Sequence, residues 1–133
     1  MNSCTNGKLL KWHAGDWMRE ILLSFEEIVE LVGEHVYPCV APENTEGNFY
    51  VYNRTEYSRT YEKFGLYTDT ATVLLRAVSD DYDTSVTMAE LADAVLSGLH
   101  KSDDGVVIKF KLVDSKEGFD DFKYYQDLYF AVD

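Results

Sequence analysis

The 133-residue chain is poor in the residues that usually announce chemistry. It has two cysteines, Cys4 and Cys39, and two prolines, Pro38 and Pro42. Thiols so far apart form no CxxC pair and no zinc pattern, and both are expected as reduced thiols rather than as a disulfide. No apolar run approaches the roughly 20 residues of a membrane helix. The opening stretch MNSCTNGKLLKWHAGDW lacks the continuous apolar segment of a signal peptide, so manufacture in the cytoplasm and no membrane partner are expected. The Asn53-Arg54-Thr55 sequon then has no secretory context. Bases are scarce too: 12 Lys and Arg stand against 24 Asp and Glu, a formal charge of −12. Affinity for nucleic acid and for anionic lipid comes largely from Lys and Arg, so this balance opposes both.

Catalytic signatures are also missing. There is no GxGxxG or GxxxxGK[ST] phosphate cradle and no GxSxG elbow. His13, His35 and His100 lie far apart, with no second ligand at helical spacing. His35 and Cys39 flank Pro38 at a separation that suits a loop and its neighbour better than a thiol–imidazole pair. Asp80, Asp81 and Asp83 form an acidic cluster without the glycine and distal glutamate of a calcium loop. Its plain reading is a solvated turn favouring the amino end of the next helix. No catalytic residue, cofactor or metal is expected.

What the chain does have is regular patterning over a length that suits one domain. Asp16 is positioned to cap a helix in which Met18, Ile21, Leu22, Phe25, Ile28, Val29 and Val32 recur at helical spacing, with Gly33 as the stop. Residues 1–15 read as a loose tail and residues 16–133 as the domain. Val36-Tyr37-Pro38 begins an extended connection, and 43–47 is turn-like. Phe49 to Arg54 alternates as a strand, with Phe49 and Val51 opposite Tyr50 and Tyr52. A polar, tyrosine-dotted stretch follows to Gly65, in the manner of a long hairpin arm. Leu66 to Ser79 is a second strand, with Ala71, Val73, Leu75 and Ala77 on one face.

Thr87 to Glu90 fits a capping box ahead of Met88, Leu91, Ala92, Val95 and Leu99, with His100 and Lys101 at the helix end; an earlier start capped by Asp83 is the variant. Val106 to Val113 and Phe122 to Val132 alternate as strands around a polar turn at 115–120. The order α-β-β-α-β-β predicts an α+β two-layer sandwich: a mostly antiparallel sheet of about four or more strands with two helices on one face. Tyr50, Tyr52, Tyr57, Tyr61, Phe64 and Tyr67 crowd one hairpin. Tyrosine is favoured at protein interfaces, and equally in cross-strand packing on a sheet face; both readings stay open.

Several short motifs resemble one family. Val36-Tyr37-Pro38, Ala41-Pro42-Glu43 and Phe49-Tyr50-Val51-Tyr52 come first, then Lys63-Phe64-Gly65 before a Thr-Val strand. Ser79-Asp80-Asp81-Tyr82-Asp83 leading into Leu91-Ala92 follows, and DSKEGFDDFKYYQDLYFAVD closes the chain. In order and spacing these are similar to the tail-completion (tail terminator, head–tail joining) proteins of long-tailed bacteriophages and prophages, over nearly everything from Phe25 on. The resemblance implies structural work in a virion rather than catalysis. It implies a homo-oligomeric ring, a hexamer, that caps the tail tube and joins it to the head, with the tail-tube protein and a head-completion or connector protein as partners.

In that setting the arm residues Arg54, Tyr57, Arg59, Tyr61 and Phe64 would supply a subunit interface, accepted by a strand edge on the neighbour. Asp80, Asp81 and Asp83 would face the lumen and repel DNA, which passes without specific binding. The alternatives are a protein-binding module or head–tail connector of related fold without tail-capping activity and, less favoured, a metal-dependent enzyme built on the acidic cluster.

Overall fold

The first helical stretch breaks in two. In a computed structural model that describes residues 11–65, 67–101, 105 and 107–133, α1 spans Ala14–Leu23 and α2 spans Glu26–Val32. Between them Phe25 is extended and Ser24 closes the first helix through its backbone amide. The break resets the helical phase. Trp17, Met18, Leu22, Ile28 and Val32 are buried, whereas Phe25 and Val29, expected on the buried stripe, are exposed. Asp16 is not the cap: α1 starts earlier, after His13, and Ala14 is buried. Gly33 does end α2, with a positive φ of 63° that a glycine takes without steric cost.

Among the described residues the sheet has six strands: β1 Val36–Pro38, β2 Phe49–Tyr61, β3 Tyr67–Ser79, β4 Gly98–Lys101, β5 Val107–Asp120 and β6 Lys123–Val132. Their spatial order is β1-β2-β3-β6-β5-β4, and every pairing is antiparallel except β1 on β2. The architecture is therefore α+β with a mixed sheet, whose strand number fits the expected four or more, and among the described residues it has three α-helices rather than the expected two. The two unforeseen strands are the short edges, three and four residues long. His100 and Lys101, expected to end a helix, lie on β4. His100 nonetheless bonds the carbonyl of Leu96, the last residue of α3 (Tyr82–Leu96), at 2.7 Å.

α3 starts five residues before the expected capping box. Its cap is Asp81, whose carboxylate accepts from the Thr84 amide at 3.0 Å and the Thr84 hydroxyl at 2.9 Å. Thr87 sits inside the helix and bonds back to the Asp83 carbonyl, a local alternative to capping. The Asp80–Asp83 run starts the helix because a carboxylate acceptor and negative charge both suit its free amides.

One sheet face is dry. Tyr50, Tyr52, Val73, Leu75, Ala77, Phe110, Leu128, Phe130 and Val132 alternate along the strands and pack with α1, α2 and α3 into a single cluster. Each fully buried Leu, Val or Phe there is worth about 1.5–3 kcal/mol of transfer free energy. Tyr50 carries its polar end inward and donates to the Met88 carbonyl at 2.8 Å; burial pushes its phenol far above the ordinary range. Gln126, which interrupts the apolar face of β6, is buried and donates to Ser85 and Glu117. Gly118 leaves room for the Tyr125 ring across the ladder, since a Cβ there would displace the Tyr125 hydroxyl.

Candidate functional site

β3 pairs with β6 only over Ala71–Ser79, so among the described residues 67–70 pair with β2 alone. Beyond that point the β2–β3 hairpin projects as a two-stranded arm, which by itself would be marginally stable. A register shift between Arg54 and Glu56 inserts one extra residue into β2. By that insertion Arg54, Tyr57 and Arg59 continue along the side the helices cover.

The turn Lys11–His13 lies on that side of the arm. Trp12 stacks on Tyr57 at 4.0 Å, and Arg54 sits over the Trp12 ring at 4.4 Å while donating to the Trp12 carbonyl at 3.1 Å. Arg59 lies over Tyr67 at 4.3 Å and donates to the Tyr57 hydroxyl at 2.9 Å. That hydroxyl donates to Asp69 at 3.0 Å, and Asp69 also receives the Lys11 amide at 3.0 Å and its ammonium at 3.2 Å. Burial alone would raise the Asp69 pKa, but the Lys11 bonds and the Tyr57 hydroxyl together hold it below the ordinary carboxylate range. Burial chiefly raises the Tyr57 pKa, with Arg59 opposing and Asp69 reinforcing.

Of the five arm residues singled out from sequence, three are thus brought together inside the chain. Arg54, Tyr57 and Arg59 stiffen the arm with Trp12, which sequence reasoning placed in a loose tail. The other two face solvent at the tip: Tyr61 is 67% exposed and Phe64 98% exposed. Phe64 also has φ 72°, a left-handed conformation that a bulky side chain rarely adopts. Tyr50 and Tyr52, counted in the same aromatic cluster, belong to the core instead.

The β5–β6 hairpin ends in a second aromatic tip. Ser115–Asp120, expected as a polar turn, continue β5 past a register shift at Leu112/Asp114 and pair with Lys123–Leu128. The turn is only Asp121-Phe122, with φ 52° and 63°, and Phe122 is 86% exposed. No glycine or asparagine marks this turn, which is why its place was missed. Phe119 packs on Tyr124, and Tyr124 on Tyr82.

Between that tip and the 39–46 loop lies an open groove of about 760 Å³ on the sheet face away from the helices. Phe49, Val51, Val78 and Tyr125 line it, with Glu43, Glu46, Asp120 and Asp121 among its acidic residues. Arg76 crosses it, bonded to the buried Asp127 carboxylate at 2.7 and 2.9 Å and lying 4.1 Å from the Tyr125 ring.

Asp80, Asp81 and Asp83 share one exposed turn. Asp80 pairs with Lys123 at 2.7 Å, Asp81 is occupied as the α3 cap, and Asp83 lies in the first turn of that helix. Among the described residues no three His, Cys, Asp or Glu side chains are grouped to hold a metal. His35 bonds Tyr37, and Cys39 is a free, exposed thiol. No helix among the described residues is long and apolar enough to cross a membrane.

No protein-family model and no curated protein matches the chain. Among solved structures it is similar to a chain from the virion of a native gene transfer agent particle, with a TM-score of 0.71 and 18% identity. The match covers 86% of this chain and 89% of that one. At that identity the likeness is one of fold, and it extends over almost the whole of both chains.

Proposed function

We propose that this chain is a structural protein of a phage-like virion, and that its copies form a ring, a hexamer, that caps the tail tube and joins it to the head. The observation that carries the reading is the shared fold, over almost its whole length, with a chain of a gene transfer agent virion. The motif series from Val36 to the closing strand supports the finer assignment to a tail-completion role by its resemblance to that family. Three features of the chain fit assembly rather than turnover. Aromatic side chains are displayed at two hairpin tips, the arm is stiffened from within, and the charge is strongly negative.

In the ring, Asp80, Asp81 and Asp83 face the lumen, where negative charge keeps passing DNA from sticking. The partners are further copies of the chain, the tail-tube protein and a head-completion protein, and the site of action is the virion.

Light scattering and negative-stain microscopy, alone and with tail-tube protein, test the reading. Closed rings, or discs on tube ends, are expected. A species that stays monomeric at every concentration and ignores tube ends would overturn it.

A further inference from the structure

The groove and the arm tip lie at opposite ends of the same two strands. Phe49 and Val78 line the groove, and Tyr61 and Tyr67 stand at the tip. The 13 residues of β2 span about 40 Å between them. A hydrogen-bonded ladder of that length cannot fold back on itself, so a chain cannot fill its own groove with its own tip. A second copy can.

We propose that the arm tip of one copy, Tyr61 to Phe64, seats in the groove of the next. This rests on reading the chain as a self-assembling ring subunit and names the two surfaces that meet. The first support is Phe64 itself. A nearly fully exposed phenylalanine in left-handed backbone is strained in the isolated subunit, and the monomer gains no contact in return. The second is charge. Lys63, beside Glu62 at the tip, is in none of the ion pairs among the described residues, a cation left over on a chain of net charge −12. The groove offers the opposite sign. Its two cations are already engaged, Arg76 by Asp127 and Lys123 by Asp80. None of the ion pairs among the described residues uses Glu43, Glu46, Asp120 or Asp121. The third is the apolar floor of Phe49, Val51, Val78 and Tyr125, in a cleft whose volume lies within the usual range for binding sites.

The two surfaces differ, so the contact is heterologous. Each added copy still offers one free tip and one free groove, and the series ends only when rotation closes it.

Cys39 lines the groove and serves as a native reporter. In a Cys4→Ser background, Phe64→Cys, and separately Tyr61→Cys, are oxidised mildly. A disulfide ladder on non-reducing gels is expected, with peptide mapping that joins position 39 to the introduced thiol and loss of the ladder on Cys39→Ser. Phe64→Gly suits the backbone and should fold at least as stably as the parent, yet weaken self-association at least about tenfold. Lys63→Glu should weaken it as well, and adding Glu46→Lys should restore it. Rings that persist with Phe64→Gly and never link position 39 would overturn this contact and leave the ring standing. A chain monomeric under all conditions would overturn both.

Discussion

The indole of Trp12 lies flat against the ring of Tyr57, centroids 4.0 Å apart and planes 21° from parallel. This stack joins the residues just before α1 to the root of the arm, where β3 leaves β6, and with Arg54 it gives the arm a rigid base. Trp12→Ala should remove a stack and a cation–π contact, each of order 0.5–1.5 kcal/mol. Amide exchange should accelerate at 57–60 and 68–70 while the core amides of β3 and β6 keep their protection. Uniform acceleration throughout the sheet would show that the arm is not a separately stabilised unit.

Asp69 gives the arm a pH dependence. Its folded-state pKa lies below its unfolded value, so its contribution is present above the unfolded pKa, about 3.9, and is lost as pH falls through the folded value. Asp69→Asn should therefore be less stable than the parent at pH 7. The two melting temperatures should approach each other as pH drops below about 4. A constant difference down to about pH 2 would contradict the assigned role of the carboxylate.

Arg76 and Asp127 form a two-pronged pair in which the carboxylate is buried and the guanidinium is partly exposed. Arg76→Met leaves that carboxylate without its partner and should cost about 2–3 kcal/mol in urea unfolding. The double variant Arg76→Met/Asp127→Leu should recover much of the loss, since it removes the uncompensated charge. If the double variant is the less stable of the two, the stranded charge of Asp127 is not what makes the single change costly.

Phe122 stands at the second position of a two-residue turn with both φ values positive, where glycine is preferred. Phe122→Gly should raise stability by about 1 kcal/mol, a rise of a few degrees in Tm. A fall in stability would mean that the ring makes contacts within the chain that outweigh its backbone strain.

Much of the architecture was legible because it follows from alternation. Ala71, Val73, Leu75 and Ala77 on one side of β3, and Leu128, Phe130 and Val132 on one side of β6, are buried where the period of two puts them. The failures have local causes. A helix break at Ser24-Phe25 leaves no Gly or Pro to betray it. Thr87 offers a capping box that loses to Asp81, because the helix propagates back to the earlier acceptor. Edge strands as short as β1 and β4 carry too few residues for any period to show. The site was legible in part: Tyr61 and Phe64 do face solvent, but Tyr57, equally polar-flanked, is taken up by Trp12 from far away in sequence.

The sequence by itself determined which strand faces are apolar, that the chain carries excess negative charge, and that familiar catalytic spacings are absent, because composition and period are local properties. Tertiary structure alone decided which tyrosines are core and which are displayed. It also set the arm and the groove at opposite ends of one ladder, because both outcomes depend on register, on one extra residue in β2, and on contacts between segments the chain order keeps apart.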